Sequence, residues 1–138
     1  MRRNAPSLLC LLLLFSFLFG SCKNDDILNV EGTYSGRFIY TVAISSSGPT
    51  ISPASIHFEN ETFTSTAGQN RIPAGGSGTF KVSGKQIEFA DTNAWTADFD
   101  WQLILNGTYT YKIQSDSLFL TRHTNDGNKY EYRLKRIP

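Results

Sequence analysis

The segment with the most chemical potential spans residues 91–101 and reads Asp-Thr-Asn-Ala-Trp-Thr-Ala-Asp-Phe-Asp-Trp. It holds both tryptophans of the chain, Trp95 and Trp101, among several carboxylates. Trp101 alternates with Leu103 and Leu105, which predicts a core position on a strand. Trp95 has no strand to join. It either plugs the end of the fold, the preferred interpretation, or stacks on a sugar from a loop, since binding residues favour loops on rigid scaffolds.

Asp98 and Asp100 carry the hard oxygen atoms that calcium prefers. Ca²⁺ takes roughly six to eight oxygen ligands, and only Asp91 and Asn93 lie close by in sequence. We therefore interpret Asp98 and Asp100 as solvated loop acids beside a candidate ligand-binding segment. The sequence predicts no metal site and no cofactor.

The other reactive side chains do not form a catalytic pattern. Two histidines and no further cysteine follow Cys22. His57 lies between Ile56 and Phe58, so it faces away from their side of a strand, and His123 sits beside a predicted turn. No spacing matches a nucleophile elbow or a phosphate-binding loop. We therefore predict a protein without enzymatic activity.

The N-terminal residues predict export. Arg2 and Arg3 precede the apolar run Leu8–Phe19, whose 12 residues are fewer than the roughly 20 that span a bilayer. Small residues follow, which completes the layout of a signal peptide. We assign residues 1–21 to a cleaved signal peptide and residues 22–30 to a modified N-terminus and tether.

The junction Phe19-Gly20-Ser21-Cys22 resembles the lipobox of bacterial lipoproteins, in which the cysteine is lipidated and becomes the new N-terminus. The resemblance implies a membrane anchor at Cys22. The next residues, Lys23-Asn24-Asp25-Asp26, are similar to a charged export signal of some Gram-negative lipoproteins, which implies display on the surface of the outer membrane. The alternatives are an ordinary cysteine after a soluble secretion signal and a solvated spacer.

The charge of the remaining chain is close to balanced. Without Arg2 and Arg3 it has 11 basic and 12 acidic residues, a net charge of −1. A nucleic-acid-binding domain would show a basic excess, so the sequence predicts no nucleic-acid partner. About 108 residues remain for one folded domain, 31–138, which is enough for a hydrophobic core.

From Val30 onward the apolar residues recur every second position, as expected for strands. In the first strand Tyr34, Phe38, Tyr40, Val42 and Ile44 share one face with Gly36. No window indicates an amphipathic helix. The predicted strands are Gly32–Ser45, Ala54–Asn60, Thr62–Thr66, Ser77–Ser83, Lys85–Asp91, Phe99–Leu105, Thr108–Gln114, Ser117–Thr124 and Asn128–Arg136.

The turns between strands test this assignment, because residues opposite each other in a hairpin must point to the same face. A turn at Asn60-Glu61 pairs Phe58 with Phe63, and one at Ser115-Asp116 pairs Ile113 with Leu118. A loop with an even number of residues near Ser83-Gly84-Lys85 pairs Phe80 with Phe89. In the last hairpin only a three-residue loop, Asn125-Asp126-Gly127 with Gly127 left-handed, pairs Leu120 with Tyr132.

Short antiparallel strands joined by local turns favour an up-and-down meander, and closing it removes exposed edges. We predict an all-β barrel of eight to nine strands, with a two-sheet β-sandwich as the alternative. Arg122 shares the parity of Leu118 and Leu120, which places this charged residue near the mouth of the barrel.

The chain resembles small bacterial lipoproteins with a lipocalin-like domain. The likeness rests on the opening Gly32-Thr33-Tyr34 and on the closing segments 105–111, 117–120 and 130–136. Lipocalins open with Trp packed beneath an Arg from near the chain end. Here Tyr34 stands in that place, with Arg133 or Arg136 as its partner. The resemblance implies a barrel whose cup holds an apolar ligand.

Taken together, these patterns predict a lipid-anchored, non-enzymatic binding module of the bacterial outer membrane. Its expected partner is a small apolar or sugar-like molecule or another envelope protein. The alternative is an accessory protein with a filled barrel that binds only through its loops, and a hydrolase is a remote third. The packing of the interior discriminates the first two.

Overall fold

The computed structural model describes residues 30–138, which form an all-β fold with almost no helix. The predicted signal peptide, the Cys22 anchor and nearly all of the tether lie outside the described residues. Eight strands follow one another along the chain: β1 Gly32–Thr41, β2 Thr50–Glu59, β3 Thr62–Ser65, β4 Gly76–Ser83, β5 Gln86–Asp91, β6 Gly107–Gln114, β7 Ser117–His123 and β8 Lys129–Ile137.

The strands form a closed antiparallel meander in which each pairs with the next and β8 pairs with β1. The closing seam is long, with register partners running from Thr33 and Ile137 to Thr41 and Lys129. Each strand within the described chain therefore has a neighbour on both sides, which leaves no sheet edge for unwanted pairing. The predicted barrel is confirmed, and the sandwich alternative is wrong.

The predicted hairpin registers are confirmed. Phe58 lies opposite Phe63, Phe80 opposite Phe89 and Ile113 opposite Leu118. In the last hairpin the Thr124 amide donates to the Asn128 carbonyl at 3.0 Å, which leaves a three-residue loop with Gly127 at φ +83°. Leu120 accordingly lies opposite Tyr132. The requirement that core residues share a face was sufficient to choose the loop length.

Two predicted boundaries of the first hairpin are wrong. β1 ends at Thr41 instead of Ser45, and Ile44 is 96% exposed in the loop 42–49 instead of facing the core. β2 begins at Thr50 instead of Ala54 and so includes Pro53. The ladder between β2 and β3 begins only at Ile56. Pro53 is therefore tolerated, since a missing N–H costs little on a strand segment that lacks a ladder partner on one side.

The predicted strand Phe99–Leu105 is also wrong, so the barrel has eight strands. A short 3₁₀ turn, Trp101–Leu103, stands in its place. Asp100 caps this turn, because its Oδ1 accepts a hydrogen bond from the Gln102 amide at 2.9 Å. Leu103, Ile104 and Leu105 are all buried. Three consecutive buried residues do not fit the two-residue alternation of a strand.

The barrel interior is filled by large side chains. Phe63 contacts Phe89, Phe89 contacts Tyr109 and Tyr109 contacts Tyr132, with ring centroids 4.9, 5.7 and 6.1 Å apart. An interior of eight strands is just wide enough for side chains to fill it or for one small ligand. The other fully buried large residues include Tyr34, Phe38, Phe58, Ile56, Ile87, Leu105, Leu118 and Tyr130.

The two ends of the barrel differ. One end carries the longer connections 42–49, 66–75, 92–106 and 124–128, and we call it the loop end. The other carries the two-residue turns after β2, β4 and β6, and we call it the turn end. Val30, at the start of the described chain, and Ile137, at the end of β8, both lie at the turn end.

Candidate functional site

The loop end is closed by two connections that bind each other. The Ala74 amide donates to the Leu103 carbonyl at 2.9 Å, and the Leu105 amide donates to the Gly75 carbonyl at 2.8 Å. Ala74 joins Leu103 and Leu105 in the hydrophobic core. The connections 66–75 and 92–106 therefore form a lid that continues the core beyond the strands.

Asp91 organises the start of this lid. Its carboxylate accepts hydrogen bonds from the Ser77 amide at 2.9 Å, from the Asn93 side chain at 2.8 Å and from Trp95 Nε1 at 2.6 Å. The Asp91 amide donates to Asn106 Oδ1 at 3.0 Å, which ties the two ends of the connection together. Hydrogen bonds within the lid thus use both carboxylate oxygens of Asp91.

Trp95 packs inward, as its preferred interpretation expects. The indole is half-buried against the core, and its ring lies 5.5 Å from that of Phe99 in an edge-to-face contact. Its N–H is used by Asp91. Trp95 thus covers the end of the barrel.

Trp101 was predicted to lie in the core, and this is wrong: it is 56% exposed. The strand that would have turned it inward does not exist, because Asp100 starts a 3₁₀ turn there. Trp101 Nε1 donates to the Thr96 carbonyl at 2.9 Å, which holds the ring in one orientation on the lid. Of the two tryptophans, only Trp101 departs from the position expected from sequence.

Asp98 and Asp100 face different partners and do not share a site. Asp98 is exposed, pairs with Arg71 at 3.0 Å and accepts a hydrogen bond from the Thr96 hydroxyl. The Thr96 bond, together with the Arg71 guanidinium, holds the pKa of the Asp98 carboxyl below its usual value. The same guanidinium lies 4.7 Å from the ring of Phe99. Asp98 and Arg71 brace the lid next to Trp101.

Arg122 points into the loop end of the barrel, as its parity predicts. Its guanidinium lies 4.6 Å from the ring centroid of Tyr130 and 5.1 Å from that of Tyr109. It donates to the Asn106 carbonyl at 2.8 Å and also to the Gln102 carbonyl. Arg122 therefore connects the barrel wall to the lid. Its buried Nε has no hydrogen-bond partner among the described residues.

Three tyrosines lie beneath Arg122. Burial raises the pKa of Tyr109 to about 12 against the opposing effect of Arg122, and burial likewise raises the pKa of Tyr130 and Tyr132. The Tyr130 hydroxyl donates to Gln102 Oε1 at 3.0 Å. The Tyr132 hydroxyl is buried and has no partner within residues 30–138. All three rings are thus neutral phenols at neutral pH.

An open pocket of about 510 Å³ lies on the outside of this cluster, lined by Gln102, Arg122, Thr124, Asn125 and Asp126. The Thr124 hydroxyl donates to the Asp126 carboxylate and thereby lowers the pKa of Asp126. Gln102 follows Trp101 directly. Gln102 thus links the 3₁₀ turn that carries Trp101 to the lining of this pocket.

The turn end holds the aromatic and basic pair suggested by the family resemblance. Arg136 donates to the Tyr34 hydroxyl from Nη2 at 2.6 Å and from Nε at 3.2 Å. Its guanidinium carbon lies 5.1 Å from the Tyr34 ring centroid. Arg133 instead pairs with Glu131 at 3.3 Å on the outer face. Of the two arginines left open by the sequence, Arg136 is the one that contacts Tyr34.

Residues 30–138 contain no group of three or more His, Cys, Asp or Glu side chains placed to hold a metal ion. Within that same range no helix is both long and apolar enough to cross a membrane. His57 and His123 are exposed on the outer face, as predicted. His57 Nδ1 lies 2.8 Å from the Thr33 hydroxyl.

Comparison with known proteins adds no relative. No family model, no curated protein and no solved structure matches the chain. The fold and the geometry of the site are therefore the basis for interpreting function.

Sequence analysis missed the partners that join the lid to the barrel. Gln102 and Asn106 were not singled out, because they act through backbone carbonyls and amide side chains that leave no sequence pattern. Tyr130 was detectable, since it shares the parity of the core residue Tyr132. Arg71 pairs across 27 positions, a distance that local patterning does not reach.

Proposed function

We propose that this protein is a lipid-anchored, non-enzymatic component of the bacterial outer membrane whose filled barrel is a rigid support for a sugar-binding surface at the loop end. The observation that carries the proposal is Trp101, exposed and held by its N–H on a lid braced against the core. A flat, preoriented ring loses little conformational entropy on binding. This choice follows the filled-barrel alternative of the sequence analysis.

The packing of the interior argues against a ligand carried inside the barrel. Ligand cavities enclose roughly 300–1,000 Å³ of space. Here the aromatic chain from Phe63 to Tyr132 occupies the interior. Val30 and the Tyr34–Arg136 pair lie at the turn end, and the lid covers the loop end. We therefore assign the binding surface to the outside of the loop end, where Trp101 is exposed and where Gln102 and Arg122 line an open pocket.

The placement of the chain ends supports the orientation that surface binding requires. The described chain begins at Val30 on the turn end, only a short tether away from Cys22. With Cys22 in the membrane, the turn end faces the bilayer and the loop end, with Trp101, faces away from it. Several acyl chains on one residue anchor stably, whereas one binds only marginally.

The binding proposal is tested with the Trp101→Ala variant of the protein purified in detergent from a Gram-negative host. The probes are neutral N-acetylhexosamine oligosaccharides, detected by saturation-transfer NMR. We expect wild type to bind and the variant to lose at least about 1 kcal/mol of binding free energy, the scale of one aromatic contact. Ile44→Ala, which removes another exposed apolar residue of the loop end, should bind as wild type does.

Two results would contradict this assignment. One is equal binding by Trp101→Ala and wild type. The other is an apolar molecule that copurifies in stoichiometric amount and is detected by native mass spectrometry, since it would require a cup inside the barrel.

The anchor is tested separately with Cys22→Ser. Loss of the acyl chains should move the protein from the membrane fraction to the soluble fraction, measured by fractionation and immunoblotting. Serine is the closest isostere, and Cys22 precedes the folded barrel, so the melting temperature should stay unchanged. Membrane retention of the variant would contradict lipidation.

A further inference from the structure

A row of three cations and one aromatic ring crosses the outer wall of the barrel, away from the loop end. Lys112 on β6 lies opposite Phe119 on β7, Phe119 lies opposite Arg133 on β8, and Arg133 lies opposite Arg37 on β1. Phe119, Arg133 and Arg37 point outward, since their chain neighbours Leu118, Leu134 and Phe38 are buried. Lys112 is exposed. With neighbouring strands about 4.8 Å apart, the row is about 14 Å long.

The row coincides with a groove. A depression of about 400 Å³ is lined by Lys112, Phe119 and Arg133, with Thr110, Thr121 and Glu131 along its side. Phe119 is half-buried on the outer face and does not belong to the core cluster. Its ring forms an apolar floor between two cations.

The charges in the row are only partly balanced by the protein. Arg37 and Arg133 are direct cross-strand partners, an arrangement that is unfavourable for like charges. The ion pairs among residues 30–138 include neither Arg37 nor Lys112. Glu131 pairs with Arg133 at 3.3 Å and with Lys129 at 3.0 Å. These bonds outweigh burial and lower the pKa of Glu131. Of the three cations of the row, the ion pairs of residues 30–138 include Arg133 alone.

We propose that this groove binds an acidic polysaccharide. One sugar ring of the polymer lies on Phe119, and the carboxylates of the polymer bind the flanking cations. Arginine guanidinium groups bind carboxylates through two parallel hydrogen bonds. The row covers three of the eight inter-strand steps of the closed barrel, which is more than a third of its circumference. A flat bilayer does not reach all of these residues at once, whereas a linear polymer wraps around them. The site is separate from Trp101.

The test measures binding of a short oligogalacturonate by isothermal titration calorimetry, with its methyl-esterified form as the uncharged control. We expect the acidic form to bind and the ester to bind much more weakly. Arg37→Gln and Arg133→Gln should each weaken binding about threefold, the size of an exposed ion pair. Phe119→Leu, which keeps an apolar side chain but removes the flat ring, should weaken it about threefold.

Lys81→Gln is the matched control, because Lys81 is exposed on β4 outside the row and lies opposite Glu88. It should bind as wild type does, and so should Trp101→Ala, which separates this site from the loop end. The proposal is overturned by equal binding of acid and ester, by an equal loss in Lys81→Gln, or by full affinity in Phe119→Leu. Binding of anionic lipid vesicles or single-stranded DNA through the same residues, as tightly as the uronate, would overturn the choice of a polysaccharide.

Discussion

Two tyrosine hydroxyls of the core show how one polar atom affects stability. The Tyr34 hydroxyl accepts two hydrogen bonds from Arg136. The Tyr132 hydroxyl is as deeply buried but has no partner in the described part of the chain. A buried polar group without a hydrogen bond costs about 1–3 kcal/mol, whereas a satisfied one contributes about 1 kcal/mol. The same chemical change should therefore have opposite effects at the two positions.

We expect Tyr132→Phe to raise the free energy of unfolding by about 1 kcal/mol, and Tyr34→Phe to lower it by about 1–2 kcal/mol. Urea unfolding followed by circular dichroism measures both values. If Tyr132→Phe destabilises the protein as much as Tyr34→Phe does, the Tyr132 hydroxyl has a partner such as a buried water, and this interpretation of the core is wrong.

At the scale of elements, the connection 92–106 of the lid depends on Arg122. The guanidinium of Arg122 donates to carbonyls at both ends of the buried segment, on Gln102 and Asn106. Arg71, on the other lid connection, also contacts 92–106, but through exposed groups on Asp98 and Thr96. Arg122 is half-buried and donates to two backbone carbonyls; hydrogen bonds from a charged group stabilise more than an exposed ion pair does. The two arginines thus form a matched comparison on one element.

Arg122→Met keeps much of the apolar volume but removes the donors, so both carbonyls lose their partner. We expect the free energy of unfolding to fall by about 2–4 kcal/mol, with faster amide exchange across residues 92–106 measured by mass spectrometry. Arg71→Gln should cost less than about 1 kcal/mol. Similar exchange rates in Arg122→Met and wild type would show that the lid is held by its apolar residues alone.

The elements also show where a single sequence is informative. Two-residue alternation predicted the registers of four hairpins, β2–β3, β4–β5, β6–β7 and β7–β8. It succeeded because one face of each strand packs into a common core, and a shift by one residue would expose that face. The same rule failed at 99–105. Apolar residues alternate at Trp101, Leu103 and Leu105 as they do in a strand, but Ile104 between them is apolar as well. Burial of this segment depends on Ala74 and Gly75, contacts that no local pattern contains.

The candidate site was predictable only in part for the same reason. The alternation of β7 predicted that Arg122 points inward, and its contacts with Tyr109 and Tyr130 confirm this direction. Trp101 depends on the path of a loop. A loop residue has no periodicity to place it, so its exposure was reversed relative to the prediction.

For the whole molecule, the tyrosine-rich interior makes stability sensitive to alkali. Tyr109 has a pKa of about 12 in the fold because burial disfavours the phenolate, against about 10 in an unfolded chain. Above pH 10 the unfolded chain therefore loses protons that the folded protein keeps. The contribution of Tyr109 to the free energy of unfolding is fully present below about pH 10 and is lost as pH rises from about 10 to 12. Tyr132, whose pKa burial also raises, acts in the same direction.

Each such tyrosine should lower the free energy of unfolding by about 1.4 kcal/mol per pH unit in that range. Urea unfolding at a series of pH values, with phenolate absorbance as a second signal, measures the slope. Tyr132→Phe removes one titrating group and should flatten it. A slope above pH 10 that is the same in variant and wild type would contradict the assignment of Tyr132 as a buried neutral phenol.

The different ends of the barrel have a consequence for how such a chain tolerates change. Val30 and Ile137 lie at the turn end, whereas the connection 42–49, in which Ile44 is exposed, projects from the loop end. A guest peptide inserted there would be held by the β1–β2 hairpin, at the opposite end of the barrel from the proposed attachment. The loops at one end of the barrel can therefore change while the other end, from which the chain leaves, keeps its attachment.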